Sequence, residues 1–367
     1  MTVWMFGQAI EEDCEMATMQ DYLSMAVEKD ASDIFVVAGA PVSMKIGGEM
    51  TPVDEVKIFP PQTLELIQQV YELAKRPLEI LINSGDDDFS FAVPGLARFR
   101  ANAYRQRGSY AVVIRVVAFD IPSYEEKGIP EEVIKLADAS HGMILITGTA
   151  GSGKSTTEAC IVNRINKTRH CHIITLEDPI EFLHRNDKSI VSQREIQIDT
   201  KDCASALRAA LRQAPDVIQV GEMRDLETIA AAVTAAETGH LLIATLHTNG
   251  AVNAIDRIID AFPAQSQQQI RVQLATVLHS VVSQQLLPSV NGGRVPAFEI
   301  MHSNSAIRSM IRDNKTHQID NAISTGSASG MISMDQYIVD LYKKGKITKQ
   351  TALDYCNDTE QMKRRLM

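Results

Sequence analysis

MILITGTAGSGKSTT, residues 143–157, decides what kind of fold the rest of the chain has to build. Met143 to Thr147 is a short apolar and β-branched run that predicts a buried strand, and the residues from Lys154 onward predict a helix. Between them lies Gly148-x-x-x-x-Gly153-Lys154-Ser155, a phosphate-binding loop in the strand-to-helix context that such a loop requires. Its glycines let the backbone wrap a triphosphate so that N–H groups and the helix N-terminus face the charge. The expected nucleotide site is therefore Gly148, Thr149, Ala150, Gly151, Ser152, Gly153, Lys154, Ser155 and Thr156. Lys154 is expected to reach the β- and γ-phosphates, Ser155 to ligate Mg²⁺, and Thr156 to support the α-phosphate side; ATP and Mg²⁺ are the expected cofactors.

Working outward, the runs MILIT, HIITL, VIQV and LLIATL alternate with the helical stretches LETIAAAVTAAETG and GAVNAIDRIIDAF. Continuously apolar strands with helices between them predict a parallel α/β sheet covered on both faces. From Ser266 onward the chain reads as mostly helical, with RVPAFEIM as a late strand. The part before about Asp120 has another style. DFSFAV, ARFRANAYRQ and SYAVVIRVV alternate apolar and polar residues, as half-buried antiparallel strands do, and SDIFVVAGA and PVSMKIGGEM are two further β-like runs. Helices are expected at MQDYLSMAVEKD and, after Pro60 and Pro61, at QTLELIQQVYELA; SGDDDF reads as a solvated turn. FDIPSYEEKGIP, with Pro122, Gly128 and Pro130, reads as a linker. The expected division is a poorly ordered extension over 1–18, a smaller α+β domain over 19–120, a flexible linker over 121–129, and an α/β ATPase domain over 130–367.

Composition narrows the function. A net charge of −10 argues against broad binding to nucleic acid, which needs phosphate-neutralising Lys and Arg, while leaving room for a local basic channel. The opening residues carry no basic n-region or long apolar core, and no apolar run reaches the ~18 residues of a spanning helix. Five scattered cysteines without any CxxC fit reduced thiols better than a disulfide frame or a structural zinc site. RHCH, ending at His172, cannot converge on one ion without help from elsewhere, because neighbours on a strand point to opposite faces.

Three later segments carry the chemistry. ITLEDPIEF sets Glu177 and Asp178 at the end of a buried strand, where a carboxylate can orient or deprotonate an attacking water or simply cap the next turn. PDVIQVGEMRD ends a second strand at Gly221-Glu222, whose acid suits the Mg²⁺ shell directly or through water. TGHLLIATLHTN puts His240 and His247 at the two ends of a third strand, either as nucleotide sensors or as hydrogen-bonded structural histidines.

The four boxes GTAGSGKST, EDPIEF, VGEMRD and TGHLLIATLHTN resemble, in order, those of the secretion ATPase superfamily of P-loop NTPases. The likeness runs from SDIFVVAGAP to GMISMDQYIVDLYKKGKIT, nearly the whole chain. Within the superfamily it is most similar to the PilT/PilU-like type IV pilus retraction ATPases. The resemblance implies a PAS-like first domain, a RecA-like second domain and a homo-hexameric ring. It implies Glu177 as general base, Glu222 in Mg²⁺ binding and hydrolysis, and His240 and His247 as couplers of the pocket to movement. It also implies arginines of the first domain on nucleotide; Arg100 and Arg115 fit that place, with Arg98, Arg105 and Arg107 as rivals. The implied partners are an inner-membrane pilus platform protein and a paralogous pilus ATPase. The implied location is the cytoplasmic face of the inner membrane, peripheral and not inserted.

Rival readings are a pilus assembly or type II secretion ATPase, an accessory retraction subunit of low activity, and a nucleic-acid translocase. The missing CxxC counts against the first and the acidic balance against the last. AIRSMIRDNK, residues 306–315, has an amphipathic spacing that anchors Ile307 and Ile311 and frees Arg308 and Arg312. It resembles the AIRNLIRE helix of retraction ATPases, which implies a role in retraction rather than in folding.

Overall fold

The computed structural model describes residues 17–117 and 121–367. The expectation for the extension over 1–18 falls almost wholly outside them, as does Cys14. The chain divides into two compact units, one before and one after residues 118–120.

The first unit is a six-stranded, wholly antiparallel sheet: β1 (Ala31–Val36), β2 (Ser43–Ile46), β3 (Glu49–Pro52), β4 (Asp86–Val93), β5 (Ala97–Gln106) and β6 (Ser109–Val117), in the order β3-β2-β1-β6-β5-β4. Burial alternates along β4 and β5, so Phe89, Phe91 and Phe99 turn inward together. The helices Met19–Glu28 and Pro60–Leu73 cover that face with Tyr22, Leu23, Leu66 and Ile67. Pro60 and Pro61 belong to the first turn of their helix, where the missing N–H costs nothing.

SGDDDF is not a solvated turn. Asp86, Asp87 and Asp88 open β4, and strand alternation sends Asp87 inward, where it accepts from the Tyr71 hydroxyl (2.9 Å) and from Arg76 at 2.8 and 2.7 Å. Three acids in a row look solvated by composition, but a strand needs only the middle one to find donors.

The second unit is a seven-stranded sheet: β7 (Gly142–Thr147), β8 (His172–Glu177), β9 (Ile190–Glu195), β10 (Val217–Val220), β11 (Leu241–Leu246), β12 (Leu278–Pro288) and β13 (Arg294–His302), in the order β13-β12-β7-β11-β10-β8-β9. All pairs are parallel except β12–β13. Successive residues of β7 enter different cores, Met143 and Leu145 one and Ile144 and Ile146 the other, which is why the strand is apolar throughout. β9 and β12 were not evident in sequence: β9 is an edge strand with Ile190 exposed, and β12 mixes Ser, His and Gln among its apolar residues. The C-terminal helices pack Met334, Ile338 and Met362 onto Leu287 and Ala297.

Residues 121–129 are not a free tether. Ile121 and Tyr124 pack on the second unit's core, Ile129 is buried, and Cys160 donates to the Pro122 carbonyl. The Pro and Gly content shapes this segment, and its spaced apolar residues hold it down. No helix among the described residues is long and apolar enough to cross a membrane.

Candidate active site

In a parallel sheet the strand ends that face ligands are the carboxyl ends, and four of them converge here. A cleft of about 460 Å³ is lined by Ala150, Gly151, Lys154 and Ser155 after β7, by Glu177 and Asp178 at the end of β8, by Gly221 and Glu222 after β10, and by His247 after β11.

The phosphate loop owes its path to β12. At Gly148, φ is +147°, and a Cβ would strike the Gln284 carbonyl oxygen and lie 2.6 Å from the Ser152 hydroxyl oxygen. Gly153 takes a left-handed conformation to start the helix Lys154–Thr168, with the Gln284 amide nitrogen only 2.8 Å from where a Cβ would sit. Gln284 is 3% exposed and accepts from Thr157 Oγ1 at 2.7 Å, so one side chain clamps loop and helix together. Lys154 folds onto the loop's own carbonyls, Gly148 and Thr149, at 3.0 Å each. Burial lowers its pKa, against the pull of Glu222, Glu158 and Glu181. Thr156 sits half-buried on the first helical turn, outside the cleft lining.

Glu177 is 9% exposed, and its Oε1 accepts from Thr175 Oγ1 at 2.6 Å and Gln193 Nε2 at 3.0 Å. Burial raises its pKa, the dominant cause, while those two donors oppose the rise. Glu222 Oε2 accepts from Arg224 Nε at 2.7 Å and lies 3.3 Å from His247 Nε2; Arg224 also reaches toward Asp178 at 3.9 Å. The cleft mouth is thus a chain of alternating charge.

His240 lies elsewhere. It precedes β11, with Nδ1 near the Ala235 carbonyl and the Thr238 hydroxyl at 3.0 Å each, and its carbonyl accepts from the first residue of β7. The length of β11 separates it from the cleft, because the two histidines cap opposite ends of one strand. His172 is held by the Gln213 carbonyl and the Ser192 hydroxyl.

In the first unit, Arg100 and Arg115 are directly opposed across β5 and β6. Arg100 pairs with Asp88 and Arg115 with Asp33, so the two neighbouring arginines are flanked by one acid each. Arg105 lies over the Tyr110 ring and Arg107 occupies the hairpin turn with positive φ. Arg98 lies opposite Val117 on β6. Sequence reading missed the residues that hold the site: Gln284, Thr175, Gln193, Arg224 and the buried Glu158.

A phosphate loop, two strand-end carboxylates and a strand-end histidine around one cleft define a P-loop ATPase. The chain belongs to the type II/IV secretion system protein family, whose model matches residues 10–295. It is 42% identical over 333 residues to the type IV pilus retraction ATPase PilT of Pseudomonas aeruginosa, covering 90% of this chain and 96% of that protein. It is 38% identical over 342 residues to the same organism's type IV pilus ATPase PilU, covering 93% and 89%. A crystal structure of the pilus retraction motor PilT with bound ADP superposes with a TM-score of 0.86 at 44% identity, covering 95% of this chain and all of that one. The chain is thus a PilT/PilU-like ATPase of this family, an ATP hydrolase with a PilT-like fold.

Proposed function

We propose that this chain is the motor of a type IV pilus, a homo-hexamer that couples ATP hydrolysis to pilus retraction and twitching motility. The observation that carries the reading is the single cleft in which Lys154, Glu177, Glu222 and His247 meet, in a chain so similar to a retraction ATPase.

On this reading ATP lies with its phosphates on the loop, and Lys154 exchanges the Gly148 and Thr149 carbonyls for phosphate oxygens. Ser155 and Glu222 offer hard oxygen donors in the same cleft, a set that suits Mg²⁺, whose charge offsets that of the phosphates. Glu177, with Oε1 fixed by Thr175 and Gln193, takes a proton from the attacking water. His247, against Glu222, senses the γ-phosphate.

The first unit is read as PAS-like and the second as RecA-like, with Arg100 and Arg115 delivered to nucleotide as a pair when the domains close. Such closure is favoured by ATP contacts and released when the γ-phosphate is lost. His240, away from the cleft, is left a coupling role through the helix Leu226–Glu237, to which it bonds. The helix Ser305–Arg312 buries Ile307 and Ile311 and leaves Arg308 and Arg312 exposed, as a surface for the work of retraction needs. The expected partner is the pilus platform protein at the cytoplasmic face of the inner membrane.

The likeness to PilU favours a second reading, an accessory subunit of a paralogous motor. Pilus dynamics in a deletion strain complemented with wild type or Glu222→Ala separates the two. Retraction that persists without the gene contradicts the motor reading, and loss of retraction that Glu222→Ala restores favours the accessory role.

A further inference from the structure

The helix that follows the phosphate loop carries a carboxyl that the scheme above leaves unused. Glu158 stands one turn beyond Lys154, is 2% exposed, and lines the nucleotide cleft. Its Oε2 receives one long hydrogen bond, from Gln219 Nε2 at 3.4 Å. Its Oε1 is buried and has no hydrogen-bond partner among the described residues. Gln219 on β10 is in register with Thr175 on β8, and Thr175 donates to Glu177. Glu158, Gln219, Thr175 and Glu177 therefore form a polar floor beneath the phosphate loop.

Two carboxylates in one dry place do not both ionise. Here the donors decide where the single proton sits. Glu177 has two good ones on Oε1, which favour its charge, whereas Glu158 has one stretched contact. The charged groups around Glu158 give the same answer: burial and the charges of Glu177 and Glu181 push its pKa well up, against Gln219 and Lys154. A neutral carboxyl has a hydroxyl to donate, and the unpartnered Oε1 is where it points. Such an atom, buried in a side chain that lines the cleft, needs an acceptor that the described residues do not supply.

We propose that Glu158 is a second carboxyl of the hydrolytic site, whose Oε1 hydroxyl donates to the water that Glu177 activates. This rests on Glu177 being the base. The water then donates one hydrogen to Glu177, accepts one from Glu158, and keeps a lone pair for the γ-phosphorus. In the reaction the water's O–H bond breaks and its proton goes to Glu177. The oxygen's electron pair forms the new bond to phosphorus, and the bond to the ADP oxygen breaks with its electrons leaving on ADP. Glu158 keeps its proton throughout.

The test compares Glu158→Gln and Glu158→Leu with wild type and Glu177→Gln, in the full chain with Mg-ATP. Glu158→Gln keeps a donor in place, and its kcat stays within about threefold. Glu158→Leu loses about tenfold or more in kcat with KM for ATP unchanged, because the loss lies in placing water and not in binding nucleotide. Full turnover in Glu158→Leu beside a dead Glu177→Gln overturns the role of Glu158 alone, and normal turnover in Glu177→Gln removes the base on which it rests. Infrared difference spectroscopy tests the same point without relying on the folding of Glu158→Leu. Wild type shows a protonated-carboxyl carbonyl band at neutral pH that is missing from Glu158→Gln and moves to lower frequency when ADP and beryllium fluoride fill the site. Absence of that band, or a band that does not move, overturns the proposal.

Discussion

Replacing Glu177 by Gln is the perturbation whose consequences the structure constrains most closely. The amide is isosteric, so its oxygen keeps the hydrogen bonds from Thr175 and Gln193, and the change removes a charge from a site that is 9% exposed. Stability is therefore expected to hold or to rise slightly, since a buried charge is costly. Nucleotide affinity is expected to hold too, because Lys154, Ser155 and the loop glycines are untouched. What is lost is the proton acceptor. General-base catalysis contributes about 10²–10⁴ in rate, equivalent to about 2.7–5.5 kcal/mol of barrier at ~1.36 kcal/mol per tenfold. The assay is steady-state and single-turnover ATP hydrolysis across pH, with binding of a fluorescent ADP analogue as control. Glu177 has a raised pKa in the folded protein and works only when deprotonated, so wild-type kcat falls as pH drops through that raised value. The variant lacks this acid limb. A Glu177→Gln enzyme with kcat within about fivefold of wild type, or with the wild-type acid limb, would refute the assignment.

Gly148→Ala forces a methyl group into the Gln284 carbonyl and the Ser152 hydroxyl, and is expected to raise KM for ATP and lower ATP binding about tenfold or more by displacing the loop. The double variant Arg308→Ala, Arg312→Ala changes two exposed side chains; unfolding and ATP binding are expected to stay within about 0.5 kcal/mol while pilus retraction is lost, as read by imaging labelled pili. Asp87→Ala strips Tyr71 and Arg76 of their acceptor and is expected to destabilise the first unit by about 2–3 kcal/mol, measured by denaturant unfolding. Glu158 binds its proton more tightly in the folded than in the unfolded chain. Its contribution to stability is full below its ordinary carboxyl pKa and is lost as pH rises through the raised folded value; Glu158→Gln is expected to flatten the fall of the melting temperature with rising pH above the ordinary carboxyl range.

Sequence carried the parallel core because its strands are short, wholly buried and punctuated by motif. A run such as LLIATL has one reading when a helix stands on either side. The same signal fails for β12, where Ser280, Ser283 and Gln284 interrupt the apolar pattern, yet Gln284 shapes the phosphate loop from across the sheet. That contact joins residues far apart in the chain, and no local spacing reports it. Of the site, the loop and the strand-end residues Glu177, Glu222 and His247 were legible, since a strand's last residue is where a parallel sheet puts chemistry. His240 matched its motif equally well and stands at the wrong end of β11 to touch the cleft. SGDDDF misled because composition ignores that a strand hides every second side chain. Glu158 had a signal that went unread: one acid on the buried stripe of the helix that starts at Lys154.

In the proposed motor, ATP turnover in this one cleft pulls pili in. Its most direct test is imaging of fluorescently labelled pili in living cells that carry wild type, no copy, or Glu177→Gln as the only copy of the gene. Pili are expected to retract with wild type, and to extend without retracting in the other two strains. Retraction at wild-type frequency in the Glu177→Gln strain would contradict it.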